Sequence, residues 1–354
     1  MVGPGLIHPV PADPALDLKQ LQLDDPEWLR FVRGHPGSGP FHDPAWATLL
    51  AETYGLSGFV LVQVDEAGSI RAGVPLLSPP QLPRRPRRLI SLPFTDLVEP
   101  LVAPSDASTL AASLEAARRE LGVARIELRG PLAGAAASRS HAVVHTLALA
   151  EDTDALLAGC SKGRRSDIRA LERRSVSLER ASEERDLTEI YFRLHLRTRR
   201  RLGVPSQPKR FFRLLWRRVI EPGHGFVLLA REGVTPVAGA VFLTGNDTVV
   251  YKYSASDAQR RSQQPNTLLL WSAILHAREQ GFQRLDFGRS ELSAAGLRAF
   301  KSGWGAVEEP LVYSVIGERA PDEAATPGVV SSVLRRAPTW VTRVTGELLY
   351  RFAA

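Results

Sequence analysis

LDFGRSELSAAGLRAFKSGWG, residues 285–305, is the stretch on which the reading of this chain turns. Upstream of it, VVYKYS at 249–254 is rich in β-branched and aromatic residues, and residues 266–280 repeat apolar side chains at helical spacing. The order is therefore strand, loop, helix, strand. Gly281 stands where a helix C-cap belongs, and 282–287 returns to strand register before Gly288 breaks it. Such a unit forms a right-handed crossover within one sheet, and ligands of α/β sheets gather at the carboxyl ends of strands, where Asp286, Gly288 and Arg289 fall. The loop beyond offers Arg289, Ser290, Phe300, Lys301 and Trp304, with glycines that let a backbone come close to a ligand. Asp286 and Arg289 are close enough in sequence to pair and shape that loop.

The chain around this stretch has 354 residues, 44% of them hydrophobic, which suits two globular domains of about 150 residues. The expected division is a lead-in at 1–24, a first domain at 25–150, a second at 151–320 that carries the site, and an amphipathic tail at 321–354 with arginines among Trp340, Leu348 and Leu349. One cysteine, Cys160, forms no internal disulfide and fits a reducing compartment. The N-terminus lacks the pattern of a signal peptide, and no apolar run approaches the ~20 residues of a membrane span, so the expected location is cytoplasmic, with a peripheral membrane contact left open. Net charge is +7, and between Arg193 and Arg218 stand nine arginines and one lysine without an acid. That block reads either as a field that attracts phosphates or anionic lipids, or as a solvated face paired with acids from elsewhere. Nothing points to DNA.

Local signals give the remaining elements. Asp25 with Pro26, and Asp43 with Pro44, are N-caps followed by proline in the first turn of short helices, the second closed by Gly55. Residues 59–64 and 70–77 alternate as a hairpin, 110–121 is a helix, and 124–128 a strand. The small-residue run LAGAAASRSHA is expected as a loop, with a strand at 143–149. Residues 160–174 read as one basic helix, 187–202 as another, and 226–230 with 237–243 as paired strands. The halves repeat a similar order of helices and strands. Absent are a G-x-S-x-G elbow, an H-E-x-x-H pair, a P-loop and any metal-ligand spacing among the histidines, so no metal is expected.

DFGRS at 286–290, FKSGWGA at 300–306, PLVY at 310–313 and the preceding QQPNTLLLWSAILHAREQG at 263–281 together resemble the FemAB-like branch of the GNAT acyltransferase superfamily. The resemblance extends loosely from Phe41 to Tyr313. It implies an α/β fold with mixed sheets in two tandem GNAT-like domains, and an acyltransferase that forms amides by positioning an already reactive donor beside an amine. The coiled-coil arm that some members insert is absent, since no sustained heptad occurs.

The same resemblance suggests roles for individual residues. It puts the Phe300–Lys301 pair at the acyl-donor site, the aromatic ring shaping a pocket for a terminal nucleotide and Lys301 placing positive charge beside the ester. SLPFTD at 91–96 resembles a segment near the acceptor cleft and makes Asp96 a candidate for handling the acceptor amine, with a turn or capping role as its alternative. T-x-x-R-x-G-x-P at Thr198, Arg201, Gly203 and Pro205 suggests that Arg201 holds acceptor phosphates, with Tyr253 beside the acceptor. Gly288, Arg289, Arg260, Asn266 and Trp304 complete the donor set. Coenzyme-A-dependent members usually carry a glycine-rich loop before the helix that follows the central strand, whereas residues 255–266 here read ASDAQRRSQQPN, without glycine. The expected donor is therefore aminoacyl-tRNA as co-substrate with no bound cofactor, and acyl-CoA is the alternative. The acceptor is an amine on a small molecule or a nucleotide-linked precursor, and a non-catalytic RNA- or membrane-binding protein is the rival from another class.

Overall fold

A computed structural model describes residues 17–318, except 82–85, 150–151 and 172–174, together with isolated positions between 335 and 345. The strands are β1 (Asp17–Leu21), β2 (Ser57–Val64), β3 (Ile70–Ser78), β4 (Arg88–Ile90), β5 (Arg125–Leu128), β6 (Ala136–Ala148), β7 (Val176–Arg180), β8 (Gly225–Glu232), β9 (Thr235–Gly245), β10 (Thr248–Ser256), β11 (Arg284–Glu291) and β12 (Val307–Gly317). The helices are α1 (Pro26–Gly34), α2 (Pro44–Tyr54), α3 (Ala107–Glu120), α4 (Thr153–Gly159), α5 (Lys162–Ala170), α6 (Phe192–Leu202), α7 (Lys209–Leu215), α8 (Pro265–Glu279) and α9 (Ala295–Ser302). Local sequence explains several ends. Asp25 and Asp43 accept from the amides of Glu27 and Ala45, and Gly55 and Gly203 close α2 and α6 at φ of 65° and 71°.

All twelve strands join one mixed sheet in the order β1-β2-β3-β4-β5-β12-β6-β11-β10-β9-β8-β7. Its centre is an exchange. β12, the last strand among the described residues, pairs with β5 of the first half, while β6, which precedes the second half, pairs with β11. The two exchanged strands also pair with each other, from Val307 opposite Thr146 to Val315 opposite Ala136. Neither half closes its sheet without a strand from the other, so the seam is built of backbone hydrogen bonds.

Both faces of the sheet are covered, and the strands show it by period. Val60 and Val62, or Val227 and Leu229, face the cluster beneath α1, α2, α6 and α7, where Trp46 and Phe211 meet edge to face at 6.2 Å across the two halves. Leu61 and Val74 face α3, and Phe226, Leu228 and Phe242 face α8, whose Leu269, Leu270, Ala273, Ile274 and Ala277 are buried.

The structure departs from the sequence-based expectation in three places, and it decides between the two readings of the basic block. Residues 136–142 are strand rather than loop, because pairing of 136–139 with β12 and of Ala142 with β11 outweighs the weak strand propensity of alanine and serine. Gly288 does not end its strand; β11 continues to Glu291 through a bulge. The basic helix expected from Cys160 starts at Lys162 instead, as α5, because α4 ends at Cys160 and Ser161 caps a new helix by accepting from the Arg164 amide. The basic block at 193–218 does have acidic partners, drawn from other elements: Glu52 pairs with Arg210 and Arg218, Glu184 with Arg213 and Arg217, and Glu189 with Lys209. Such exposed pairs each contribute about 0–1 kcal/mol, so their consequence is local charge neutralisation rather than stability. The tail proposed at 321–354 lies almost wholly outside the described residues.

Candidate active site

β10 and β11 run parallel for three paired positions only, Thr248 with Arg284, Val249 with Leu285 and Val250 with Asp286. Beyond them β10 follows β9 to Ser256 and β11 follows β6 to Glu291, so the two strands part and open a cleft at their carboxyl ends. A bulge lies on each side of the parting, between Tyr251 and Tyr253 on β10 and between Asp286 and Arg289 on β11. Gly288 occupies the second at φ 69°, and Asp286 Oδ1 accepts its amide at 2.6 Å. A Cβ at 288 would lie 2.9 Å from Asp96 Oδ2, so both the backbone angle and the approach of Asp96 require glycine there.

Four charged side chains converge on that bulge. Lys301, the only buried residue of α9, is 3% exposed and donates to the carbonyls of Gly288 at 2.7 Å and Arg289 at 3.0 Å. Burial pushes its pKa from 10.5 down to about 8, against the pull of Asp96 and Asp286. Asp286 is pushed from 3.8 up to about 6, first by burial and also by Asp96, while the Gly288 amide, Lys301 and Lys252 hold it back. Asp96 comes from the loop at 91–96 of the first half, where Leu92 and Phe94 sit at φ of 57° and 63° without being glycine. Three contacts fix that loop: Trp46 Nε1 donates to Thr95 Oγ1 at 2.8 Å, the Tyr313 hydroxyl donates to the Asp96 carbonyl at 2.9 Å, and Lys252 Nζ lies 3.2 Å from Asp96 Oδ2. The site is thus shared by both halves, two carboxylates and two ammonium groups drawn from a loop, β10, β11 and α9.

A second feature lies at the start of α8, a cleft of about 200 Å³ lined by Arg164, Asp167, Ser256, Gln264, Asn266 and Phe300 among others. Arg164 donates to Thr267 Oγ1 at 2.8 Å, and its guanidinium lies 4.7 Å from the Phe300 ring and 4.6 Å from the Trp304 ring. Pro265 has no amide hydrogen, and the amides of Thr267 and Leu268 both donate to the Gln264 carbonyl, which leaves Asn266 as the first-turn amide open to a ligand. Arg164 Nε, Gln264 Oε1 and Asn266 Oδ1 are buried without a hydrogen-bond partner. Helix N-termini bind anions through backbone amides; here side chains supply most of the polar groups.

The sequence-derived candidates separate in space. Lys301, Asp96 and Gly288 come together at the bulge, and Phe300 and Asn266 line the α8 cleft. Trp304 is fully buried beneath Arg164, in core packing rather than on the cleft surface. Arg289 does not pair with Asp286: its guanidinium binds Glu291 at 2.9 Å and reaches the Tyr313 hydroxyl at 3.4 Å, and the Asp286 carboxyl is turned to the bulge amide instead. Arg260 stands on the surface and pairs with Glu232 at 2.6 Å, away from the cleft lining. Tyr253 packs edge-on to His195 and Phe211, on the face covered by α6 and α7. Arg201 lies in the last turn of α6, three residues after Thr198, whose hydroxyl bonds both the amide and the carbonyl of Ser256 and so ties α6 to the end of β10. Sequence reasoning missed Lys252, Arg164 as a member of the cleft, and Tyr313. No motif marks them, and only the exchange of strands brings Tyr313 to Asp96. Among the described residues no group of three or more His, Cys, Asp or Glu side chains is placed to hold a metal.

Comparison with known proteins bears on the fold. Residues 160–302 match the acetyltransferase (GNAT) domain family. Among solved structures, FemX superposes with a TM-score of 0.68 at 16% identity, covering 83% of this chain and 96% of its own. L-PGS from Bacillus licheniformis gives 0.54 at 13% identity, covering 92% and 98%. The C-terminal domain of a putative lysylphosphatidylglycerol synthetase from Agrobacterium fabrum gives 0.51 at 16% identity, covering 81% and 90%. No curated protein matches the chain. No helix among the described residues is long and apolar enough to cross a membrane.

Proposed function

We propose that this chain, an acyltransferase of the GNAT superfamily with a FemAB-like architecture, takes an aminoacyl group from the 3′ end of a tRNA and joins it to an amine, in the cytoplasm where charged tRNA is made. The observation that carries the choice of donor is the start of α8. The diphosphate of coenzyme A is met in this fold by a row of backbone amides, and here the proline at 265 and the internal bond of the Thr267 amide remove two of the three first-turn donors. What remains, one amide with Arg164, Gln264 and Asn266, suits a single phosphodiester with a base edge beside it.

The chemistry follows from the four charges. The acceptor nitrogen attacks the ester carbonyl, a C–N bond forms, the carbonyl π pair moves onto oxygen, and its return expels the ribose oxygen as the C–O bond breaks. Lys301 spends two hydrogens on the bulge carbonyls and has a third without a protein partner among the described residues, suited to the developing oxyanion. Asp96, against the Gly288 bulge, takes the proton that the attacking nitrogen loses and passes it to the leaving ribose oxygen. Because the donor is already an activated ester, orientation and charge supply the acceleration and no nucleophilic side chain is required.

The test is direct. Purified protein is incubated with charged total tRNA and, separately, with acetyl-CoA, each with a panel of amines, and new amides are sought by mass. Amides formed from charged tRNA alone support the reading; amides formed only from acetyl-CoA replace it with an acyl-CoA-dependent N-acyltransferase, and the acceptor emerges from the same screen.

A further inference from the structure

Lys252 is the extra residue of the β10 bulge: Tyr251 faces Phe242 and Tyr253 faces Val241, with Lys252 between them unmatched. A bulge re-aims the side chain it carries. This one points across the seam between the halves. Its side chain is 4% exposed, and Nζ lies 3.2 Å from Asp96 Oδ2 and 3.2 Å from the Phe94 carbonyl. The ring of Phe41 is 4.9 Å away, and those of Trp46 and Tyr253 are each 5.6 Å away. Apart from Tyr253, these contacts all belong to the first half.

Burying an ammonium group is costly even when it is paired, and an apolar residue would fill the same box of rings at lower cost. The charge therefore has work to do that packing does not explain. The loop it grips is the one held at positive φ at Leu92 and Phe94, and the bond to the Phe94 carbonyl acts at the second of these positions. On its other side the Asp96 carboxylate lies against Gly288, whose carbonyl is bound by Lys301.

We propose that Lys252 is a positioning residue for the transfer step: by holding Asp96 over the Gly288 bulge it couples the acceptor-side carboxylate of the first half to the donor-side strand of the second. The proposal rests on the amide-forming reading above. Lys252 acts through Asp96 and touches neither reacting atom.

The experiment is a double-mutant cycle. Lys252→Met lowers kcat by about 10- to 100-fold, the range of a displaced proton acceptor, with the donor KM within about twofold of wild type. Lys252→Arg recovers part of the loss. Because the lysine works through the carboxylate, the double variant with Asp96→Asn is no slower than Asp96→Asn alone. Additive losses, or a Lys252→Met enzyme at native kcat, would overturn the proposal. A second arm needs no substrate. The Asp286 carboxyl, flanked by Asp96, Lys301 and Lys252, titrates at about 6, and Lys252 is one of the charges that hold it down. Its midpoint, followed by carbon-13 NMR, rises in Lys252→Met; an unmoved midpoint in a folded variant removes the juxtaposition itself. A wild-type protein that transfers nothing from either donor, with the midpoint nonetheless displaced, defeats the reaction and leaves the hold on the carboxylates standing.

Discussion

Replacing Lys301 by methionine tests the core of this account, because the structure gives the size of each competing effect. The lysine sits 3% exposed, and its move from 10.5 to about 8 corresponds to about 3 kcal/mol of ion-burial cost at neutral pH, which the variant is spared. Against that gain, the variant loses the ammonium donor to the Gly288 and Arg289 carbonyls, and each buried acceptor left unsatisfied costs about 1–3 kcal/mol. The net change therefore runs from about 1 kcal/mol of gain to about 3 kcal/mol of loss, within what a folded domain tolerates. The sign with pH is fixed: the burial cost is full below pH 8, fades as pH rises towards 10.5, and is absent above it, so wild type gains on Lys301→Met across that window. Transfer behaves differently. Loss of one oxyanion donor lowers kcat by about 10²–10³-fold. The wild-type enzyme loses transfer as Lys301 deprotonates, to half at about pH 8 and to about a tenth one pH unit higher. Steady-state transfer from charged tRNA across pH 6–10, together with urea unfolding of both proteins, checks both halves. A folded Lys301→Met protein within about threefold of native kcat, or a wild-type profile flat through pH 9, would refute the reasoning.

Three further outcomes follow from the same geometry. Gly288→Ala places a Cβ 2.9 Å from Asp96 Oδ2 at φ 69°, so we expect about 1–2 kcal/mol of destabilisation and a fall in kcat of at least tenfold; native turnover would show that the approach of Asp96 to the bulge is not used. Asp286→Asn removes a carboxyl raised from 3.8 to about 6, whose ionisation cost is absent below pH 3.8 and full above pH 6, so thermal unfolding should show the variant more stable by roughly 1–3 kcal/mol at pH 7 and equal near pH 4; a gap independent of pH would contradict the burial of that charge. Arg164→Met keeps the stem over Phe300 and removes the cation of the α8 cleft, so the donor KM should rise about tenfold with kcat little changed, and an unaltered KM would move the donor phosphate elsewhere.

Much of this protein was readable in its sequence because the signals are local. The caps at Asp25 and Asp43, the glycines at 55 and 281, the alternation of β2 and β3 and the apolar repeat of α8 each depend on a few neighbouring residues, and the motifs around DFGRS and FKSGWG single out Lys301 and Gly288, which the fold brings into contact. Tertiary structure decided the rest. Whether alanines and serines at 136–142 become strand depends on partners more than 140 residues away, at 291 and 312–315, and whether the arginines at 210–218 stay bare depends on Glu52 and Glu184. The meeting of Asp96 with Lys252, Asp286 and Tyr313 requires the two halves to trade their central strands. No spacing in the chain encodes that meeting: charges attract according to distance through space, and distance through space is set only when the backbone hydrogen bonds of the whole sheet are closed.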